Sequence, residues 1–287
     1  MRTSIPRALV AVLSGALLLA ACGSQSADSP RSGRLTVGGS DGPDVSGDPA
    51  DTEKDGVRIT GTSGGPYEVE VTNHEAEPFT YTITFDVMSA SGGAMASGKQ
   101  TVPAVAAGRT VTQAVQLGDI DRGRLRIAKV RRVPSAEAPA ATGRCPASGV
   151  RVTADDGDAA MGLRVVGLHL VNCGTRPYAV NGYPLLGPLD EERKPVSGVR
   201  VLHGSGGIAT VTGFDTPPRP VTLKPGEAAS ARLLWRNTTE AGLPPVNAPY
   251  VRVRAKAGAQ PVMVTPELDL GTTGKLGVSP WQQDSTR

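Results

Sequence analysis

The chain has 287 residues, of which 20% are charged, 39% are hydrophobic and only 3% are aromatic. This length accommodates one or two domains, each with a sizeable core. The formal net charge is +3, and the loss of Arg2 and Arg7 with a predicted leader would leave +1. Such a balance excludes a protein that binds nucleic acid through bulk positive charge.

The N-terminus has the features of an exported lipoprotein. A basic segment precedes a mostly apolar stretch, residues 8–20, whose length as a helix falls short of the roughly 30 Å membrane core. The stretch ends in Leu19-Ala20-Ala21-Cys22-Gly23, which resembles the bacterial lipobox, where the cysteine is lipidated and becomes the new N-terminus. An ordinary cleavage site beside a chance cysteine is the alternative. We predict a signal peptide over residues 1–21 and lipidation of Cys22, with acyl chains as the membrane anchor.

A disordered tether is expected to follow, over residues 22–56. The segment is dominated by Gly, Ser, Asp and Pro, and no aromatic residue occurs before Tyr67, so it buries too little apolar surface to fold. Its aspartates recur at helical intervals, but Pro43 and Pro49 prevent that helix. The alternative is an irregular calcium-binding loop, but such a loop needs closely spaced oxygen ligands, and this segment lacks that spacing. We therefore predict no metal at Asp41, Asp44, Asp48, Asp51 and Asp55.

Beyond residue 57 the sequence predicts an all-β fold. Period-two alternation in Glu68-Val69-Glu70-Val71-Thr72 and in later runs is typical of half-buried antiparallel strands. Many short strands with Gly and Pro turns favour two tandem immunoglobulin-like β-sandwiches. We place them at residues 57–133 and 145–281, with a Pro/Ala linker over 134–144 and a tail over 282–287.

An internal echo indicates that the two modules are related. The segment from Val71 to Phe79 matches the segment from Leu170 to Tyr178 as strand, Asn, four turn residues, Pro and aromatic residue. Downstream, residues 105–110 parallel residues 223–228 as a turn that enters a strand. Convergent hairpin sequences are the alternative explanation.

The second module contains four distinctive motifs: Cys145-Pro146, Leu168-His169-Leu170-Val171-Asn172, Gly182-Tyr183-Pro184 and Leu223-Lys224-Pro225-Gly226. With these motifs it resembles domain-of-unknown-function family 4232, which is typical of actinobacterial envelope proteins and lipoproteins. The resemblance implies an immunoglobulin-like sandwich with a disulfide, and it implies no activity, cofactor or catalytic residue. Gly182-Tyr183-Pro184 is interpreted as a structural bend rather than a ligand site.

Cys145 and Cys173 are expected to form that disulfide. Lipidation of Cys22 leaves an even pair in an oxidising compartment. The family's second half-cystine follows the turn, where this chain has Tyr178, whereas Cys173 precedes the turn. If residues 174–177 form a four-residue hairpin loop, Cys173 and Tyr178 lie opposite each other, and the sulfur still reaches Cys145.

Sequence motifs for catalysis are weak. His203-Gly204-Ser205-Gly206-Gly207 superficially resembles a nucleophile elbow or an oxyanion-hole loop, but neither the spacing nor the α/β context is present. His74, His169 and His203 lack metal-ligand spacing, and Asp155-Asp156-Gly157-Asp158 is interpreted as a turn. We predict no cofactor, metal or catalytic residue.

The expected function is a non-catalytic, lipid-anchored binding or structural module on the outer face of the cytoplasmic membrane. Its partners would be the membrane, through the anchor, and a cell-wall polymer or another envelope protein; nucleic acid is not expected. The alternative is an envelope hydrolase that uses Ser205 and His203. Any binding surface that acts through charge is expected on one basic strip. The alternative is that these charges protect an edge strand from pairing with another chain. The strip comprises Arg124, Arg126, Lys129, Arg131 and Arg132.

Overall fold

The computed structural model describes residues 49–61, 67–116 and 124–285. Within these ranges the chain is almost entirely β-strand and turn. Helix is confined to one turn at Pro49–Thr52 and a 3-10 turn at Ser135–Glu137. The predicted all-β fold is confirmed. The signal peptide, Cys22 and most of the predicted tether lie outside the described residues.

The N-terminal domain is a sandwich of two antiparallel sheets. One sheet has the order β1-β2-β3-β6 and the other β5-β4-β7. Val69 and Val71 of the first sheet share a core with Ile83 and Phe85 of the second, so the predicted alternation is confirmed. The strands are β1 (Glu53–Lys54), β2 (Val57–Thr60), β3 (Glu68–Thr72), β4 (Phe79–Met88), β5 (Ala94–Val105), β6 (Thr110–Ala114) and β7 (Arg124–Pro134).

The C-terminal domain is a larger β structure around a second core. Its main sheet has the order β13-β20-β15-β10-β8, with β9 paired to β10 and β21 to β15; smaller sheets are β11-β14, β12-β17-β18 and β16-β19. Leu168 and Leu233 of the main sheet share a core with Val180, Val251 and Leu268 of the three smaller sheets. The packing is therefore that of a sandwich.

The strands of the C-terminal domain vary from two to ten residues. In chain order they are β8 (Val150–Ala154), β9 (Asp158–Ala160), β10 (Leu163–Asn172), β11 (Tyr178–Asn181), β12 (Leu185–Leu189), β13 (Arg200–His203), β14 (Pro220–Leu223), β15 (Ala228–Arg236), β16 (Asn247–Ala248), β17 (Tyr250–Arg254), β18 (Val262–Val264), β19 (Leu268–Asp269), β20 (Lys275–Val278) and β21 (Gln282–Gln283).

A buried asparagine organises the same turn in both domains. In the N-terminal domain, the Asn73 side-chain nitrogen donates to the carbonyls of Glu77 and Val105 at 2.8 Å, and its oxygen accepts from the Glu75 backbone nitrogen. In the C-terminal domain the equivalent Asn172 bonds are to Arg176, Leu223 and Gly174. The residues after the turn also pair alike: Phe79 lies opposite Val105, and Tyr178 lies opposite Leu223. The sequence echo is thus a repeat of structure at this turn.

The Gly182-Tyr183-Pro184 element marks where the domains differ. In the N-terminal domain β4 runs unbroken for ten residues and pairs with both β5 and β7. In the C-terminal domain the corresponding path is divided into β11, which pairs with β14, and β12, which pairs with β17. Gly182 has φ +82°, a conformation that favours glycine. The structural interpretation of this element is confirmed by the bend.

Three predicted boundaries are corrected. The tether was expected to extend to residue 56, but Glu53 and Lys54 form a hairpin with β2, turning on Asp55 and Gly56 at positive φ. The linker was expected over 134–144, but its first residues form β7 and the 3-10 turn; only the part from about residue 139 is mostly exposed. The tail was expected from residue 282, but Gln282 and Gln283 pair with β15. At each of these three boundaries, ordered structure extends further than expected because the backbone makes contacts that the local sequence pattern does not predict.

Candidate functional site

The C-terminal domain contains the predicted disulfide. Cys145 and Cys173 are bonded, with their Cα atoms 5.6 Å apart, and this prediction is confirmed. Asn172 fixes the turn after β10, and the backbone nitrogen of Gly174 donates to the Gly149 carbonyl at 2.8 Å. The bridge therefore ties the start of β8 to the turn that precedes Tyr178.

Ser205 and His203 do not form a nucleophile–base pair. Ser205 is 2% exposed, and its hydroxyl donates to Asp215 at 2.6 Å, which holds the pKa of that carboxyl below its usual value. His203 instead stacks on Tyr183, with ring centroids 4.0 Å apart and planes within 5°. The structure therefore does not pair the two residues named in the hydrolase alternative: the Ser205 hydroxyl bonds to Asp215, and His203 packs against Tyr183.

His169 lies between Asp155 and Ser230 on an open face of the main sheet. Its Nε2 is 3.2 Å from the Asp155 carboxylate, and its Nδ1 is 3.3 Å from the Ser230 hydroxyl. This set has the residue types of a catalytic triad, but His169 and Ser230 are flanked by paired strands on both sides. Their backbone N–H groups are used in the hydrogen bonds of the sheet, so they are not free to stabilise an oxyanion at this site.

Asp155 stabilises a turn, as predicted for the segment Asp155-Asp156-Gly157-Asp158. Its carboxylate accepts from the backbone nitrogens of Gly157 and Gly167, and Gly157 has φ +69°. Among the described residues, no group of three or more His, Cys, Asp or Glu side chains is placed to hold a metal ion.

The predicted basic strip lies on β7, at the edge of the β5-β4-β7 sheet. Arg124 and Arg126 alternate with buried Leu125 and Ile127 as expected. Each of the five basic side chains has a carboxylate partner within 4 Å, so contact with an anionic surface stays a prediction and would compete with these pairs. The pairs are Arg124–Asp51, Arg126–Asp86, Lys129–Glu267, Arg131–Glu267, Arg131–Glu191 and Arg132–Glu75.

Arg131 joins the two domains. Its guanidinium donates to both carboxylate oxygens of Glu267, at 2.5 and 2.7 Å, and also to Glu191. Burial alone would lower the pKa of Arg131 and raise that of Glu267, but the hydrogen bonds and opposite charges outweigh it. The pKa of Arg131 is therefore raised and the pKa of Glu267 is lowered.

The charge pairing between the domains is reciprocal. Arg193 of the C-terminal domain donates to Glu75 of the N-terminal domain at 2.9 Å, and Arg252 donates to Glu137 at 2.7 Å. Beside these pairs lies a small apolar cluster, formed by Val133, Leu189, Tyr250 and Met263. We call these ion pairs and this cluster the domain junction.

A groove of about 310 Å³ opens at the side of the C-terminal domain, between β8 and the loop that joins β17 to β18. Its apolar wall includes Val150, Val152 and Val262, and alanines of the loop complete it. The disulfide fixes the segment that leads into this wall, because it holds residue 145 against the turn at residue 173. We call this feature the side groove.

Tyr178 and Lys256 line the side groove together with two other polar side chains, Ser148 and Gln260. The Lys256 ammonium lies 4.2 Å from the centre of the Tyr178 ring and donates to the Ala179 carbonyl at 2.7 Å. Burial raises the pKa of the Tyr178 phenol. Sequence reasoning placed Tyr178 in the repeated turn and beside the disulfide but missed Lys256, because Lys256 lies far along the chain, in the loop after β17.

Taken together, the fold and its grooves define a two-domain, all-β protein with a disulfide-pinned C-terminal sandwich. Residues 145–282 match the family model described as "Domain of unknown function (DUF4232)". The match covers the C-terminal domain and confirms the resemblance predicted from its motifs. No curated protein and no solved structure matches the chain. In the described part of the chain, no helix is long and apolar enough to cross a membrane.

Proposed function

We propose that this protein is a non-catalytic, lipid-anchored binding module of the actinobacterial cell envelope. Acyl chains on Cys22 would hold it at the outer face of the cytoplasmic membrane. The lipobox-like segment that ends in Cys22 and Gly23 carries this proposal. The disulfide supports it, because such bonds persist mainly in oxidising compartments.

Binding rather than catalysis is favoured by what the two domains offer. The side groove is open and combines apolar walls with a few polar groups, as small-molecule sites commonly do. The hydrolase alternative lacks support, since the Ser205 hydroxyl donates to Asp215 rather than to His203. A cell-wall polymer or another envelope protein remains the proposed macromolecular partner.

Metabolic labelling with palmitate tests the anchor. The wild-type protein should be labelled and recovered with membranes, and Cys22→Ser should abolish the label and release the protein to the soluble or secreted fraction. Cys145→Ser is the matched control, because it removes a cysteine outside the lipobox. Label and membrane location that persist in Cys22→Ser would overturn the proposal.

Loss of hydrolysis in Ser205→Ala would support the alternative instead. A broad panel of ester and amide substrates should show no turnover that depends on Ser205. Activity that disappears in Ser205→Ala, while the variant remains folded by its circular dichroism spectrum, would replace the binding role with an enzymatic one.

A further inference from the structure

The side groove has the size and surface of a site for a small aliphatic ligand. Its volume is about 310 Å³, which corresponds to roughly ten groups of the size of a water molecule or a methylene, at about 30 Å³ each. Val150 and Val152 are almost fully buried beneath it, so the groove reaches the edge of the core. Its floor is therefore apolar and rigid.

The charge at the side groove is positive. Lys256 is a lining residue, and no Asp or Glu lines the groove. Lys256 makes no ion pair among the described residues. An ammonium has three N–H donors, and the Ala179 carbonyl accepts one of them, so donors remain for an anionic group.

Tyr178 adds a second donor. Its hydroxyl makes no hydrogen bond within the described residues, although the ring is half-buried. A phenol is protonated at neutral pH at its ordinary pKa, and burial raises the pKa of this one further. A half-buried hydroxyl with no protein partner is suited to a ligand oxygen.

The N-terminal domain has a related arrangement at Phe79. Phe79 occupies the place that Tyr178 has in the repeated turn, without the hydroxyl, and the guanidinium of Arg193 lies 4.8 Å from its ring centre. That arginine comes from the C-terminal domain and is itself paired with Glu75. Both rings therefore face a cation, but in the described structure only the cation at Phe79 has a carboxylate partner.

We infer that the side groove binds a small aliphatic carboxylate, with the chain against Val150, Val152 and Val262 and the carboxylate at Lys256 and the Tyr178 hydroxyl. The inference rests on the binding role proposed above and names the class of ligand. Charge complementarity selects a carboxylate over a neutral amphiphile, and the small volume selects a single short chain over a phospholipid.

Calorimetric titration of the purified mature protein with decanoate tests the inference. One saturable site is expected. Lys256→Gln should weaken affinity about tenfold to a hundredfold, the range of one charge-assisted hydrogen bond, while Lys256→Arg should retain most of it. Tyr178→Phe should weaken it by a smaller factor, and Lys224→Gln, an exposed lysine outside the groove, should change nothing.

Two further probes separate the parts of the inference. Decanol should bind more weakly than decanoate and should be insensitive to Lys256→Gln; equal affinities would overturn the carboxylate role. Co-sedimentation with phosphatidylglycerol vesicles without decanoate binding would identify a membrane surface as the ligand and would overturn the inference. Absence of any saturable site would also overturn it, but it would leave the palmitate result, and so the proposed anchor, unaffected.

Discussion

At the scale of single residues, Asn73 and Asn172 are the most demanding positions in the chain. Each is almost fully buried, and each satisfies two carbonyls and one backbone nitrogen of its own turn. An aliphatic residue would remove the side-chain donor from two carbonyls in each turn, and one of these carbonyls, that of Val105 or Leu223, is in a buried bond. Both turns therefore depend on one amide side chain.

We expect Asn172→Ala to lower the free energy of unfolding by about 2–4 kcal/mol, because three hydrogen bonds are lost and one of them, to the Leu223 carbonyl, is buried. Asn73→Ala should have a similar effect on the N-terminal domain. Equilibrium urea unfolding measures both. Asn181→Ala, at an exposed position, is the control, and a loss at Asn172 no larger than at Asn181 would show that the turn does not need its asparagine.

Residue-level prediction from sequence succeeded where chemistry is local. The cysteine pair was predictable because only two cysteines remain after Cys22. The hairpin expected to place Cys173 opposite Tyr178 is wrong, since β10 pairs with β8 and β15 whereas β11 pairs with β14 in another sheet. The partners of the basic strip were not predictable. Glu267 and Glu191 lie far along the chain from Arg131, and only the packing of one domain on the other brings them together.

At the scale of secondary-structure elements, the alternation of Val with polar residues predicted the strands, but it did not predict where the strands end. The β1–β2 hairpin lies in a segment whose composition predicts disorder, and it is fixed by contacts that composition does not encode. Lys54, for example, donates to the carbonyl of Ala128 on β7. The linker begins similarly, with the Ser135 backbone nitrogen bonded to the Pro78 carbonyl at 2.9 Å.

Limited trypsin digestion tests these element boundaries. The first cuts are expected after Arg31 or Arg34, in the sequence-predicted tether outside the described residues, and the next after exposed Arg144. Lys54 should resist, because its hairpin is paired and its side chain is bonded. Mass spectrometry of the fragments identifies the cuts, and cleavage at Lys54 as early as at Arg34 would contradict the ordered hairpin.

At the scale of the whole molecule, the domain junction is built mainly from ion pairs around a small apolar cluster. Glu267 receives hydrogen bonds from Arg131 and Lys129, which keep its pKa below the ordinary glutamate value despite burial. A carboxyl with a lowered pKa in the folded state stabilises that state above its unfolded pKa, about 4.3. This stabilisation is lost as the pH falls through the lowered value.

We therefore expect wild type and Glu267→Gln to differ in unfolding free energy at pH 7, by about 1–3 kcal/mol, because the variant leaves Arg131 partly unpaired. The difference should shrink as the pH falls below about 4. Urea unfolding followed by the fluorescence of Trp235 and Trp281 measures it. Glu192→Gln serves as the control, since Glu192 makes no ion pair among the described residues. A difference that persists unchanged at pH 3 would contradict the assignment.

The reciprocal charges at the junction have a practical consequence for anyone who wishes to isolate the family 4232 domain. Cutting the chain before residue 145 would expose the apolar side chains of Tyr250 and Met263, which are now 2% and 0% accessible. It would also strip Arg193, Arg252 and Glu267 of their partners. The segment that matches the family model is thus smaller than the unit whose contacts keep these side chains buried and paired. The two domains should be expressed, crystallised and screened as one molecule.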